Sequence, residues 1–281
     1  TAGRVAGRIT GGVFRLDGST CQLPVNDPPN HLHGGPEAID KQLWSAEVVE
    51  RSDKFPSLRL RYHSQDGEQG YPGAVDLAVT YTVTASDEFV FETEARSDRA
   101  TPVSLTHHSY FNLNGEGEGD VLDHFLRIDS DAAFPADEHM TLLDRLESLD
   151  GHPGDFRVSR RVGEAIPGIW QQHGDLYWLG ESEDCRPVAR LHAPRSGRIL
   201  DVTTSNSCLQ MYAGAGLDGS LVGKSGRRYR AFGGLCLECQ GYPNAIGDSA
   251  AAGFGDILVR PGFPQQHRTV YAFSADDSRA E

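Results

Sequence analysis

The stretch Val75-Asp76-Leu77-Ala78-Val79-Thr80-Tyr81-Thr82-Val83 decides the fold class. Its large apolar residues recur at every second position, which loads one face of an extended strand and fits no helical period. Ala85-Ser86-Asp87-Glu88 interrupts the run, and Phe89-Val90-Phe91-Glu92-Thr93 resumes it, so the two form a hairpin. Working outward, strand-like runs occupy 57–62, 103–112, 125–128, 176–180, 188–192, 199–204, 207–213, 234–240, 257–260 and 268–274. Helix is expected only over 138–149, where apolar residues stand at 140, 142, 143, 146 and 149, and as a short turn within 159–166. With 32 Gly and 15 Pro punctuating the chain, the pattern predicts an all-β protein. No internal repeat and no Ser/Pro-rich linker divides it, so residues 1–281 read as one domain, a large antiparallel β-sandwich of two stacked sheets.

Charge narrows the function. Lys and Arg number 26 against 40 Asp and Glu, a formal charge of −14, and such a surface repels nucleic-acid phosphates and anionic lipid alike. No run approaches the roughly 18 apolar residues of a membrane helix. The five cysteines, Cys21, Cys185, Cys208, Cys236 and Cys239, are odd in number and follow no framework spacing. They read as reduced thiols in a cytoplasmic protein, and residues 1–10 show no signal-peptide pattern.

Three segments carry chemistry. In Asn30-His31-Leu32-His33-Gly34-Gly35 the two histidines stand at i, i+2, which on an extended strand points both the same way, toward a ligand or a metal. In Thr106-His107-His108-Ser109-Tyr110-Phe111-Asn112 the adjacent histidines face opposite sides, so at most one shares a pocket with His33, and the pattern leaves open which. In Gly234-Leu235-Cys236-Leu237-Glu238-Cys239-Gln240, alternation sends Leu235, Leu237 and Cys239 to one face and Cys236, Glu238 and Gln240 to the other. A carboxylate inside such an apolar strand is either ion-paired or part of a site. Cys236 and Cys239, at i, i+3, point to opposite faces, which disfavours a metal or redox pair.

These segments, in this order and together with Gly3-Arg4-Val5-Ala6-Gly7-Arg8-Ile9, Asp66-Gly67-Glu68-Gln69-Gly70-Tyr71-Pro72-Gly73, Leu209-Gln210-Met211-Tyr212 and Val259-Arg260-Pro261-Gly262, resemble the aldose 1-epimerase family over nearly the whole chain. The resemblance implies a supersandwich fold and interconversion of the α and β anomers of a free aldose, glucose or galactose in type, with no cofactor and no metal. It implies that Glu238 is the general base acting on the anomeric hydroxyl and that His108 is the general acid at the ring oxygen. Arg8, His33, Asp175 and Gln210 would hold sugar hydroxyls. Negative potential from Asp175 and Glu238 is expected to keep His108 charged.

Gly7 stands where the family usually has Asn, His107 also where it has Asn, and Asn244 where Asp is common. Members usually carry several further strands before the Gly-Arg segment, so that stretch is expected to be missing; a monomer or homodimer is expected. Four rival readings follow from the residues. One is a phosphosugar mutarotase with Arg227, Arg228 and Arg230 as phosphate clamp, and another a glycoside hydrolase using Asp175 and Glu238. The others are a metal site on His33, His108 and a carboxylate, and a non-catalytic carbohydrate-binding module. Trp44, Trp170 and Trp178 read as packing or sugar-stacking residues. His124, His139, His152, His173 and His192 read as structural or surface residues.

Overall fold

The computed structural model describes residues 1–50, 55–167, 174–247 and 253–276. Along the strand Val75–Val83, Val75, Leu77 and Val79 are buried while the intervening side chains are at least partly exposed. The hairpin partner is Glu88–Ser97, in antiparallel register from Val75 opposite Ser97 to Val83 opposite Phe89. This hairpin lies inside a nine-stranded antiparallel sheet. From Glu88–Ser97 the sheet continues through Gln265–Ala275, Arg198–Thr204, Arg186–Ala193, Phe125–Ile128 and Arg160–Arg161, and from Val75–Val83 through Ser57–Ser64 and Ser45–Glu50.

A second, five-stranded sheet runs Glu147–Ser148, Ala132–Phe134, Leu176–Trp178, Cys208–Tyr212, Cys236–Gln240. Its Leu209, Met211, Leu237 and Cys239 pack with Leu126, Ile128, Val188, Leu191, Leu200, Val202 and Tyr271 of the larger sheet in one apolar core. The expected β-sandwich is therefore present. Alternation then sends Gln210, Tyr212, Cys236, Glu238 and Gln240 to the opposite face of the smaller sheet, and the loops that cross this face build the site.

Two expectations change. Residues 138–149 form no helix. The Asp137 carboxylate accepts the backbone N–H groups of His139 and Thr141 at 2.8 and 2.9 Å, closing a turn, and Glu147–Ser148 pairs back on Ala132–Ala133. The apolar residues that mimicked a helical stripe pack as strand and loop side chains, Leu142 and Leu146 against the cluster around Phe134 and Tyr242. Residues 103–112 form no continuous strand either. Ser104 bridges Val5, Thr106 bridges Ala2 and Phe111 bridges Leu235, and these scattered partners leave His107 and His108 in irregular backbone. The expected turn within 159–166 is the short helix Val162–Ala165. No helix among the described residues is long and apolar enough to cross a membrane.

Imidazoles largely withdrawn from water make stability depend on pH. Burial, the leading cause, holds His33 down at about 3 and His107, His124 and His267 at about 4. The unfolded chain binds these protons from about pH 6.5 downward while the folded chain refuses them. Their contribution is thus intact above about 6.5 and is lost as pH falls through the folded values. The four losses outweigh the opposing gain from the single raised carboxyl at Glu238, so the urea midpoint should drop between pH 7 and pH 5; a midpoint that rises instead would mean that the rings are solvated in the folded protein.

Candidate active site

Glu238 sits at the centre of Cys236–Gln240, directly opposite Gln210 of the neighbouring strand, and is 2% exposed. Burial pushes its carboxyl up to about 8, with the Arg8 guanidinium pulling the other way. The group therefore sits within reach of neutral pH, as a proton-transfer group must.

His108 comes to meet it from the irregular 107–110 segment, with Nε2 3.5 Å from Glu238 Oε1. Tyr110 stacks on the ring at 5.2 Å and 27°, and His33 meets it edge-on at 5.3 Å. Nδ1 faces Cys236 Sγ at 3.5 Å. The neighbouring His107 turns the other way: it bonds the Ser109 hydroxyl at 2.7 Å and lies among Tyr81, Phe89, Phe91 and Tyr271. The structure thus answers which of the pair belongs to the pocket. It also corrects the expected charge on His108, whose pKa is lowered, first by burial. A hydrogen bond to its own backbone opposes the shift and the Thr1 amino group adds to it.

His31 and His33 do not point the same way. His33 adopts φ 51°, which breaks the alternation, and His31 is buried with Nδ1 on the Pro24 carbonyl at 2.7 Å and Nε2 on the Tyr71 hydroxyl at 2.8 Å. His33 instead accepts the Gly7 N–H at Nδ1, 3.1 Å away. Its neutral ring must then carry the proton on Nε2, so it offers a hydrogen-bond donor. The nitrogens of His33 and His108 and the Glu238 carboxylate lie within 4.8 Å of one another, but this tautomer makes His33 a poor metal ligand.

The remaining expected residues converge on the same place. Arg8 donates from Nε to Asp27 Oδ2 at 2.6 Å, Gln210 donates from Nε2 to the Met211 carbonyl at 2.9 Å, and Asp175 precedes the strand Leu176–Trp178. Burial raises the Asp175 pKa, opposed by His152 and by the Tyr177 hydroxyl; His152 Nδ1 stands 3.7 Å from Asp175 Oδ2. His152 lines the cavity while keeping a structural bond, its Nδ1 accepting the Gly154 N–H at 3.0 Å. Gly174, at φ +93°, places an ideal Cβ 1.8 Å from the Met211 carbonyl oxygen. Gly174→Ala must push Asp175 away from the sheet, so we expect a loss of about 2 kcal/mol or more in stability and a raised KM; a thermal melt and saturation kinetics check both.

Arg8, His33, His108, Asp175, Gln210 and Glu238 all line one cavity of about 680 Å³, with Tyr110, His152, Tyr212 and Gln240 among their neighbours. Tyr110, Tyr212 and Gln240 were not singled out from the sequence, although Gln240 follows Glu238 at i+2 and strand alternation already put it on that face. Arg227, Arg228 and Arg230 line a separate cavity with Gly117, Gly119 and Gly226, where Arg227 pairs with Glu118 and Arg228 donates to the Gly219 carbonyl. They form no phosphate clamp at the first cavity. Trp44 packs on Tyr62, and Trp178 on Phe134 and Phe254. His124 accepts the Leu113 N–H, His192 pairs with Asp276, and His139 is exposed beside Glu138. Trp170 and His173 lie outside the described residues.

The antiparallel sandwich thus brings a carboxyl and an imidazole side by side in a cavity lined with polar side chains, an arrangement able to exchange protons with a small polar molecule. The aldose 1-epimerase family matches residues 1–272. Galactose mutarotase of Rattus norvegicus is 40% identical over 274 residues, covering 97% of this chain and 77% of that protein. Aldose 1-epimerase of Escherichia coli K12 is 31% identical over 280 residues, covering 98% and 79%. The structure of an aldose epimerase homologue from C. elegans superposes with a TM-score of 0.85 at 27% identity, covering 98% of this chain and 82% of that one. The chain belongs to the aldose 1-epimerase family and is an isomerase.

Proposed function

We propose that this chain interconverts the α and β anomers of a free hexose of the glucose or galactose type, with Glu238 and His108 as its general base and general acid. The observation that carries this reading is the 3.5 Å approach of His108 Nε2 to Glu238 Oε1 inside the cavity. Ring opening removes a proton from O1 and adds one to O5. Both oxygens are bonded to C1, so an acid and a base that lie side by side reach both at once.

The two groups share one proton. With Glu238 ionised and His108 protonated, the carboxylate takes the O1 proton while Nε2 donates to O5, and the C1–O5 bond breaks. This leaves an open-chain aldehyde, a neutral carboxyl and a neutral imidazole. Rotation about C1–C2 presents the other carbonyl face to O5, and the transfers run backwards. The lowered His108 pKa makes Nε2–H a readier donor and the raised Glu238 pKa makes its carboxylate a stronger base, so each shift helps the transfers that open the ring. His33 Nε2–H supplies a donor to the sugar, Asp175 an acceptor, and Arg8 and Gln210 further donors.

Polarimetry of freshly dissolved α-D-glucose and α-D-galactose tests the proposal. Rotation should relax faster than in buffer, with kcat/KM falling on both sides of neutrality. If both free sugars match the blank while hexose 6-phosphates relax faster, the phosphosugar reading replaces it; if neither responds, the carbohydrate-binding reading does. Five free thiols among the described residues support a reducing, cytoplasmic setting. We read the chain as one domain working as a monomer or homodimer.

A further inference from the structure

The strand Cys236–Gln240 presents two side chains, at i and i+2, to the two nitrogens of one imidazole: Cys236 Sγ lies 3.5 Å from His108 Nδ1 and Glu238 Oε1 lies 3.5 Å from Nε2. Only Glu238 of the two lines the cavity. Cys236 is wholly buried, and its strand neighbours Leu235 and Leu237 point into the core on the other face.

We propose that Cys236 is a positioning residue, whose sulfur accepts a hydrogen bond from His108 Nδ1–H and so keeps the ring's resident proton on Nδ1. The inference rests on the acid–base role given above to His108. An imidazole that passes protons through Nε2 must alternate between the doubly protonated ring and the neutral tautomer with its hydrogen on Nδ1. The other neutral tautomer has its hydrogen on Nε2, cannot accept there, and takes the ring out of the cycle. An acceptor at Nδ1 selects between them.

Sulfur is suited to the task because it is weak and uncharged. Burial, with the Glu238 charge adding to it, raises the Cys236 thiol well above its usual range, so it stays protonated and brings no negative charge beside the ring. A carboxylate in its place would stabilise the imidazolium and make Nε2–H a poorer acid toward the ring oxygen. The fixed partners on the ring's other sides, Tyr110 stacked and His33 edge-on, hold its plane but bond neither nitrogen. Among the described residues, the competing acceptor is the residue's own backbone, which also interacts with the ring.

Three proteins decide the matter: wild type, Cys236→Val, which keeps the volume and removes the acceptor, and Cys236→Ser, which restores an acceptor. Nitrogen-15 NMR of histidine-labelled protein should show the neutral His108 ring protonated on Nδ1 in the wild type and in Cys236→Ser, and shifted toward the Nε2-protonated tautomer in Cys236→Val. The Val variant should lose about tenfold in kcat, the scale of one buried hydrogen bond, with KM within about twofold, while Ser recovers most of the loss. If the Val variant keeps the Nδ1-protonated ring, the backbone suffices and the proposal falls. It falls equally if Ser is no better than Val, since the loss is then one of packing. A misfolded Val variant leaves the wild-type tautomer as the deciding readout: a ring protonated on Nε2 overturns the proposal. Absence of mutarotation by the wild type would remove the proposed function without changing what the NMR says about the Cys236–His108 contact.

Discussion

Replacement of Glu238 by Gln is expected to lower kcat for hexose mutarotation by about 10²–10⁴-fold, the usual share of one general acid or base. Glutamine keeps the shape of the side chain and its facing position opposite Gln210, so KM should change little and the loss should appear in kcat and kcat/KM alike, the signature of a group that acts in the transition state. The same substitution should stabilise the fold at alkaline pH. The buried carboxyl holds its proton up to about 8, whereas in the unfolded chain it ionises near pH 4.3. Between those values the folded state binds a proton that the unfolded state has released, so the wild type loses stability as pH rises across the window, by up to roughly 5 kcal/mol. Glutamine carries no such linkage. Urea unfolding of both proteins at pH 5 and pH 8.5 should therefore diverge, with the variant ahead at pH 8.5. Equal midpoints at both pH values would show that Glu238 is ionised in the folded protein near neutral pH.

The second large effect is expected at His108. His108→Gln keeps a polar side chain beside Glu238 but cannot release and recover a proton near neutral pH, and kcat should again fall by about 10²–10⁴-fold. Because both residues serve one coupled transfer, the double variant His108→Gln/Glu238→Gln should be little worse than either single one. Fully multiplicative losses would mean that the two act in separate steps and would overturn the shared-proton mechanism. The pH profile gives an independent check. Wild-type kcat/KM should fall on both sides of the one-proton state of the pair, and its alkaline limb should disappear in the Glu238→Gln variant along with the raised carboxyl.

The legible part of this protein lay where neighbours in sequence decide geometry. Alternation fixed the buried side chains Val75, Leu77 and Val79 though not the exposed strand end at Val83, and the same rule applied to 235–240 separated the core residues Leu235, Leu237 and Cys239 from Cys236, Glu238 and Gln240. The six expected site residues all line one cavity; five of them, Arg8, His33, Asp175, Gln210 and Glu238, stand on or directly beside strands whose register the motifs follow. The reading failed where the backbone departs from regular geometry. His33 lies at φ 51° and so parts company with His31. Residues 138–149 carry spacing that fits a helix, but a side-chain-closed turn at Asp137 and pairing with Ala132–Ala133 take their backbone hydrogen bonds.

Local sequence thus determined the β class, the faces of the strands and the residue types able to exchange protons, since each depends on period-two geometry and intrinsic chemistry. Only the tertiary structure decided that His108 rather than His107 enters the pocket, that His152 stands beside Asp175, that Arg227, Arg228 and Arg230 gather elsewhere, and that Glu238 titrates near neutrality while His108 is held below its usual value. These outcomes turn on burial and on the close approach of segments distant along the chain, and neither desolvation nor a through-space contact is written in the order of residues on a single strand.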